Sequence, residues 1–311
     1  MRVCVDLKDL NSKINIEKYP LPKLDEMLSV VSNNKCFSKI DLCNAYLQVA
    51  VAEEDQKYLV ISTEKGLFKF KRLPFGLASA PGIFQRFISQ LLCDIDGASV
   101  YLDDILICSS SEADQYEKVK IVLSRLQNAN VKLNRSKCEF NKNVIDFLGD
   151  VISDKGVSPS PTKVLAISNA PVPKNLMELQ SFIGLVTYYS RFIYKFSEIL
   201  SPLYDLTKKG VKFVWSRKHQ ISYDLIKKSI CNSEILTCFS GKSKLIIEAD
   251  ASPIGVGAVL LQLENGIEKP IAFSSKKLSS AEMNYSQTDR EALALVFGVN
   301  KFKYYVLGRN F

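Results

Sequence analysis

The sequence predicts an α+β chain, and three observations predict it. The chain has 311 residues, which at about 150 residues per domain suggests two domains. Apolar residues make up 47% and charged residues 24%. That balance suits packed cores and excludes a disordered, collagen-like or disulfide-stapled chain. Short apolar runs of strand character also alternate with segments whose apolar residues recur at helical spacing.

The elements follow in order. In a first region, to about residue 152, segments 36–42 and 46–51 read as short strands. Ser79-Ala80-Pro81 opens a helix, with proline in the first turn where its missing N–H costs nothing. Ile83, Phe84, Phe87, Ile88, Leu91, Leu92 and Ile95 repeat along it at helical spacing. A hairpin is expected around residues 100–107. A helix over about 112–129 follows, with Tyr116, Val119, Leu123 and Leu126 on one face.

A second region begins near Gly156-Val157-Ser158-Pro159-Ser160-Pro161, where two prolines and a glycine suggest a hinge. Helices are expected at about 161–168 and 175–190. Asn175 and Glu178 have capping-box spacing, and Leu176, Leu179, Phe182, Ile183 and Val186 form an apolar stripe. A third region starts near Trp215. Residues 245–250, 254–261 and 270–274 read as strands, and residues 287–307 as a helix.

Lys and Arg total 41 against 33 Asp and Glu, a net charge of +8 that suits a polyanion partner without requiring one. His219 is the single histidine, in a polar stretch that reads as a solvated helix start. A histidine-rich zinc site is therefore excluded, and the chemistry is expected to run on carboxylates. None of the eight cysteines forms a C-x-x-C pair. They read as small buried hydrophobes of a reducing compartment. No apolar run approaches the ~18 residues that span a membrane, and the first residues lack a signal peptide's apolar core. The expected location is cytoplasmic or nuclear, and not secreted.

Tyr101-Leu102-Asp103-Asp104 is the sharpest signal. Adjacent aspartates on a regular strand point to opposite faces, whereas at a tight turn both can serve one site. Turns favour aspartate anyway, so the pair alone reads as a solvated turn. Asp41, near the end of another apolar strand, changes the balance. Three carboxylates on adjacent strands can hold two Mg²⁺ ions, which stabilise both oxygens of an in-line displacement. Phosphoryl transfer of this kind needs no histidine.

These residues carry a family resemblance. Ile40-Asp41-Leu42, the segment from Leu73-Pro74-Phe75-Gly76-Leu77 into Ser79-Ala80-Pro81-Gly82-Ile83-Phe84-Gln85-Arg86, and Tyr101-Leu102-Asp103-Asp104 resemble the reverse transcriptases of gypsy-class LTR retrotransposons. The resemblance continues through Ser136-Lys137-Cys138-Glu139-Phe140, Phe147-Leu148-Gly149, Ser181-Phe182-Ile183-Gly184-Leu185 and Tyr188-Tyr189-Ser190-Arg191-Phe192. It runs on to Phe213-Val214-Trp215, Asp250-Ala251-Ser252 and Thr288-Asp289-Arg290-Glu291. It covers nearly the whole chain in order.

The resemblance implies a right-hand polymerase fold followed by an RNase H-like α/β domain. Its boundaries would be partial fingers and palm at 1–152, thumb and connecting helices at 153–212, and the RNase H-like domain at 213–311. It implies an RNA-directed DNA polymerase taking an RNA template, a DNA primer and dNTPs, with two Mg²⁺, or Mn²⁺ as substitute. Asp41, Asp103 and Asp104 match the metal-binding triad, with the Leu42 carbonyl as a further ligand. Tyr46 matches an aromatic gate against a 2′-hydroxyl, although alone it would read as a packing tyrosine. Arg2 matches an arginine on the triphosphate, and Phe75, Gly76 and Gln85 match the nucleotide and template side. Phe147-Leu148-Gly149 resembles the segment that grips the primer.

In the third region Asp250 and Glu291 match the first two RNase H carboxylates and metal ligands, while Glu248 and Asp289 read as solvated. The family's later aspartates lie beyond Phe311, so RNase H activity is expected to be lost, and the fingers are expected to be clipped before Arg2. Asp150 stands where relatives often carry His, and Ala45 where many carry Gly. The expected partners include other parts of a Pol polyprotein and exclude a membrane; the oligomeric state is open. The alternative is a catalytically inactive nucleic-acid-binding relic or domesticated fragment.

Overall fold

The structure is a computed structural model that describes residues 5–16 and 19–311, so Arg2 lies outside the described residues. The chain divides into two compact units, Met1–Ile145 and Asp146–Phe311.

The first unit carries helices α1 (Lys8–Asn11) and α2 (Leu24–Leu28) and strand β1 (Cys36–Asp41). The hairpin β2 (Val60–Thr63) and β3 (Gly66–Lys69) precedes α3 (Ala80–Leu92). Strands β4 (Ala98–Tyr101) and β5 (Asp104–Ser109), helix α4 (Glu112–Asn128) and β6 (Glu139–Lys142) complete it. Its main sheet runs β4-β5-β1-β6, with β1 antiparallel to both neighbours. One sheet face presents Ile40, Ile105 and Ile107 to Phe84, Ile88 and Leu92 of α3 and to Val122 and Leu126 of α4. Burying each such side chain contributes roughly 1.5–3 kcal/mol, enough to pin both helices beneath the strand ends that bear the acids.

The expected strand at 46–51 is absent. Asn44 turns left-handed at φ 52°, and a 3-10 turn covers Ala45–Gln48. On α4 Leu126 is buried and Val119 and Leu123 pack against the core as expected, but Tyr116 is 68% exposed and Gln115 and Val122 are buried in addition. Periodicity misplaced Tyr116 because a polar residue, Gln115, occupies the core face there. Gln115 bonds both Ser38 and Ser109, which satisfies its amide inside the protein.

The second unit begins within β7 (Val144–Phe147) and continues through β8 (Asp150–Ser153) and β9 (Gly156–Pro159), one three-stranded sheet. Helices α5 (Pro161–Ser168), α6 (Leu176–Thr187), α7 (Phe196–Leu206) and α8 (Arg217–Cys231) follow. Strands β10 (Leu245–Ala251), β11 (Gly255–Glu264) and β12 (Ile267–Lys277) form an antiparallel meander. Helices α9 (Gln287–Lys301) and α10 (Lys303–Val306) end the unit.

Gly156–Pro159 is strand, not hinge. Val157 exchanges two 2.8 Å backbone bonds with Leu236, so the glycine marks a close backbone approach. The expected continuous helix over 287–307 breaks at Phe302. His219 is 4% exposed, not solvated, and its ring caps α8 by accepting from the Ser216 amide. Asn175 caps α6 as its spacing implied, accepting from the Glu178 amide at 2.9 Å. Gly298 lets α9 lie close on the meander, where a Cβ would stand 3.1 Å from Ala258 and Ile247 side-chain carbons. Among the described residues, no helix is long and apolar enough to cross a membrane.

Candidate active site

The register of β1 against β5 builds the centre of the site. Asp41 pairs directly with Asp104, and Lys39 lies two residues back. Side chains alternate along a strand, so Lys39, Asp41 and Asp104 share one face. Like charges directly opposite each other oppose sheet formation. Tyr101 pairs with Asp104, leaving Leu102-Asp103 as the two-residue turn between β4 and β5. The Leu42 amide donates to the Asp103 carbonyl at 2.8 Å, which ties the turn to the end of β1.

Gln85 holds that turn. Leu102 has a φ of 51°, a left-handed conformation that L-residues adopt at a cost of about 1–2 kcal/mol. The Gln85 side-chain oxygen accepts the Leu102 amide at 2.7 Å, and its nitrogen donates to the Val100 carbonyl at 2.9 Å. Gln85 is 1% exposed. Its polar atoms are thus engaged inside the first unit, on Leu102, Val100 and Ser89, rather than turned toward a nucleotide or template. Its spacing put it on the inner face of α3, and only the tertiary contact shows what it bonds there.

The aspartates stand among opposing charges. Lys137 reaches Asp41 at 3.5 Å, and Lys39 reaches Asp104 at 3.9 Å. Burial pushes the Asp104 carboxyl up, Lys39 pulls it down, and Asp103 and Asp41 push it up again. Among the described residues, no group of three His, Cys, Asp or Glu side chains is gathered as a ready metal cage. The backbone brings the three aspartates together while Asp41 and Asp104 lean toward lysines. The donor set is all oxygen, the chemistry hard divalent cations prefer, and its mutual repulsion is what such a cation relieves.

Tyr46 lies beside this centre, its ring 5.3 Å from Phe75 and 5.8 Å from the buried Phe84. Burial raises its phenol pKa, with Asp103 and Tyr101 adding to the effect. Gly76 has a φ of 93°, and a Cβ there would sit 3.3 Å from the Val5 carbonyl. Asn11 clamps the same segment, donating to the Gly76 carbonyl at 2.9 Å and accepting the Ala78 amide at 2.8 Å. Sequence reading missed Asn11, Lys39 and Lys137. Lys137 lies inside a motif that carried the resemblance, whereas Asn11 lies 65 residues from its partner and left no local signal.

In the second unit Asp250 is on β10 and Glu291 on α9. Asp250 accepts from Lys195 at 2.6 Å and from the Tyr194 hydroxyl at 3.4 Å. The Lys195 bond is the main cause that lowers its pKa. Gln287 donates to Glu291 at 2.7 Å and to the Ala251 carbonyl at 3.4 Å, linking the helix to the strand end. Both expected ligands are thus engaged by protein groups. Glu248 is exposed, and Asp289 is exposed and bonded to the Ser286 N-cap.

Comparison with known proteins agrees with this architecture. Residues 1–152 match the family described as "Reverse transcriptase (RNA-dependent DNA polymerase)". Residues 215–311 match the "RNase H-like domain found in reverse transcriptase". The Tf2-3 and Tf2-4 transposon polyproteins of Schizosaccharomyces pombe are 35% identical over 309 residues. That match takes in 98% of this chain but 23% of each relative's length. A foamy viral protease-reverse transcriptase solved with dsDNA superposes with a TM-score of 0.88 at 25% identity, covering 99% of this chain and 64% of that one. Another, solved with an RNA/DNA hybrid, gives 0.86 at 25% identity, covering 97% of this chain and 41% of that one. The chain belongs to the reverse transcriptases, with a reverse transcriptase domain over residues 1–152 and an RNase H-like domain over residues 215–311, and is similar to gypsy-class transposon polyproteins.

Proposed function

We propose that this chain carries the RNA-directed DNA polymerase centre of its polyprotein and extends a DNA primer on an RNA template. The observation that carries the reading is the β1–β5 register, which sets Asp41 across from Asp104 with Asp103 at the adjoining turn. The primer 3′-hydroxyl attacks the α-phosphate of a dNTP, a new phosphodiester forms, and pyrophosphate leaves. Asp41, Asp103 and Asp104, with the Leu42 carbonyl, would hold two Mg²⁺, for which Mn²⁺ could substitute. When bound, these ions neutralise charge on the attacking and leaving oxygens of such a displacement.

The remaining residues bind, exclude and orient. Tyr46, backed by Phe75 and Phe84, closes the space a ribose 2′-hydroxyl needs and so selects dNTPs by exclusion. Asn11 fixes Phe75-Gly76 beside the nucleotide. Gln85 keeps the Leu102-Asp103 turn in its one productive shape. The Leu148-Gly149 turn holds the primer end. The solved foamy viral relatives carry dsDNA or an RNA/DNA hybrid, which supports a duplex as the ligand here. Domain limits of 1–152, 153–212 and 213–311 belong to this reading, although the first limit falls inside the β7–β9 sheet and the compact units divide after Ile145.

The test is Mg²⁺-dependent dNTP incorporation on a primed RNA template beside an Asp103→Asn control. Incorporation that vanishes in the control is expected. Incorporation that survives in Asp103→Asn overturns the mechanism. Salt-sensitive binding to the primer–template with no synthesis in either protein supports the inactive-binder reading instead.

A further inference from the structure

The β7–β8 hairpin turns on two consecutive left-handed residues, Leu148 at φ 51° and Gly149 at φ 89°. The glycine adopts this freely, but the leucine is sterically disfavoured and needs outside support. That support comes from the chain just after α6. The Tyr188 hydroxyl donates to the Leu148 carbonyl at 2.7 Å and lies 3.4 Å from Asp150 Oδ2. The same Oδ2 is paired with Nη2 of Arg191.

Asp150 is fully buried, and its other oxygen, Oδ1, has no hydrogen-bond partner; nor does Nε of Arg191. A buried ion pair left partly unsatisfied is a poor source of stability. What it does supply is geometry, because the two charges can meet in few arrangements. The pair fixes Arg191, whose guanidinium lies 4.7 Å from the Phe192 ring, and fixes the carboxylate edge that Tyr188 abuts. Burial and Asp150 both raise the Tyr188 phenol pKa, so its proton stays available to Leu148.

We propose that Asp150, Arg191 and Tyr188 act as one strut that holds the Leu148 carbonyl and thereby positions the Leu148-Gly149 turn against the primer 3′ end. The inference rests on the primer-holding reading of that turn given above. All three are positioning residues, since they act through Leu148 and not on the reacting atoms. The strut is specific to a carboxylate at position 150, where an uncharged neighbour would leave the Arg191 charge buried and unpaired.

The experiment pairs two readouts on the full chain, hydrogen exchange at residues 147–151 and photo-cross-linking. For the second, a primer with a photoreactive 3′-terminal nucleotide is bound to RNA template and cross-linked to Leu148→Cys. In Tyr188→Phe, exchange at 147–151 is expected to rise about tenfold, the loss of one well-formed hydrogen bond. Overall primer–template affinity stays within about twofold, while cross-link yield falls roughly fivefold or more as the turn loses its fixed position.

Asp150→Asn is expected to match Tyr188→Phe, and the double variant to be no worse than the poorer single, as members of one device are not additive. Tyr188→Phe leaves the buried ion pair intact and carries the test alone if Asp150→Asn does not fold. Unchanged exchange in Tyr188→Phe overturns the strut and leaves the primer reading standing. A parent that binds primer–template without cross-linking at position 148 overturns the primer reading, and the positioning role with it.

Discussion

The Gln85 side-chain oxygen, buried at the inner face of α3, accepts the amide proton of Leu102 at the turn that carries Asp103, at 2.7 Å. One glutamine thus couples a helix of the core to the backbone conformation of the acidic hairpin. Its nitrogen completes the link at Val100 and Ser89.

Replacing Gln85 with the similarly sized Met leaves the Leu102 amide and the Val100 carbonyl without those partners. The expected loss is about 1–3 kcal/mol of stability, read as a lower denaturant midpoint. Incorporation should fall further than stability does, by roughly tenfold or more, because the turn positions Asp103. A Gln85→Met enzyme with normal incorporation would separate the turn from the chemistry.

Tyr46 is wedged between Phe75 and Phe84 and has little freedom to swing aside. Tyr46→Val should lower the preference for dNTP over rNTP by about tenfold or more, since a rigid steric exclusion is removed. Single-nucleotide incorporation with paired dNTP and rNTP measures the ratio. An unchanged ratio assigns Tyr46 to packing alone.

Asn11 makes its two bonds to Gly76 and Ala78 at a half-exposed position, so their worth to stability is small, about 1 kcal/mol. Asn11→Ala should nevertheless raise KM for dNTP several-fold, with kcat altered by less than about twofold. Steady-state kinetics separates the two constants, and a loss confined to kcat contradicts a nucleotide-side role.

Asp150 gives stability a pH dependence. Burial pushes its carboxyl up to about 6, against the pull of Arg191 and Tyr188 and with a smaller push from Asp146. The folded state therefore holds this proton between about pH 4 and pH 6, where the unfolded chain has lost it. Its contribution is fully present below about pH 4 and is lost as pH rises through about 6, on the order of 3 kcal/mol in all. Denaturation midpoints across that window should fall with pH more steeply in the parent than in Asp150→Asn. Equal slopes would place the titration elsewhere.

Gly156 has a φ of 130°, and a Cβ there would stand 2.1 Å from the Leu236 carbonyl oxygen. The oxygen belongs to backbone that bonds Val157, so it cannot retreat without breaking that bridge. Gly156→Ala should cost about 3 kcal/mol or more, from close contact and backbone strain together. A melting temperature within a degree of the parent would show that β9 is freer than its bonds to Leu236 imply.

The sequence by itself determined the types of several elements, the acidic motif and the family. Short apolar runs and helical repeats are local patterns, so β1, α3, the β4–β5 hairpin and the β10–β12 meander were legible from spacing. The capping of α6 was legible too, because a cap bonds three residues away. The tertiary structure decided what depends on distant partners. A buried Gln115 took the place expected of Tyr116 on α4, Leu236 turned an apparent hinge into a strand, and Gln85 proved to bond the acidic turn. It also decided that Asp41 faces Asp104, that Lys39 and Lys137 attend them, and that Asn11 clamps Gly76. The physical reason is common to all of these. Backbone and side-chain hydrogen bonds between residues tens of positions apart leave no periodicity in the chain, and only folding reveals which groups satisfy one another.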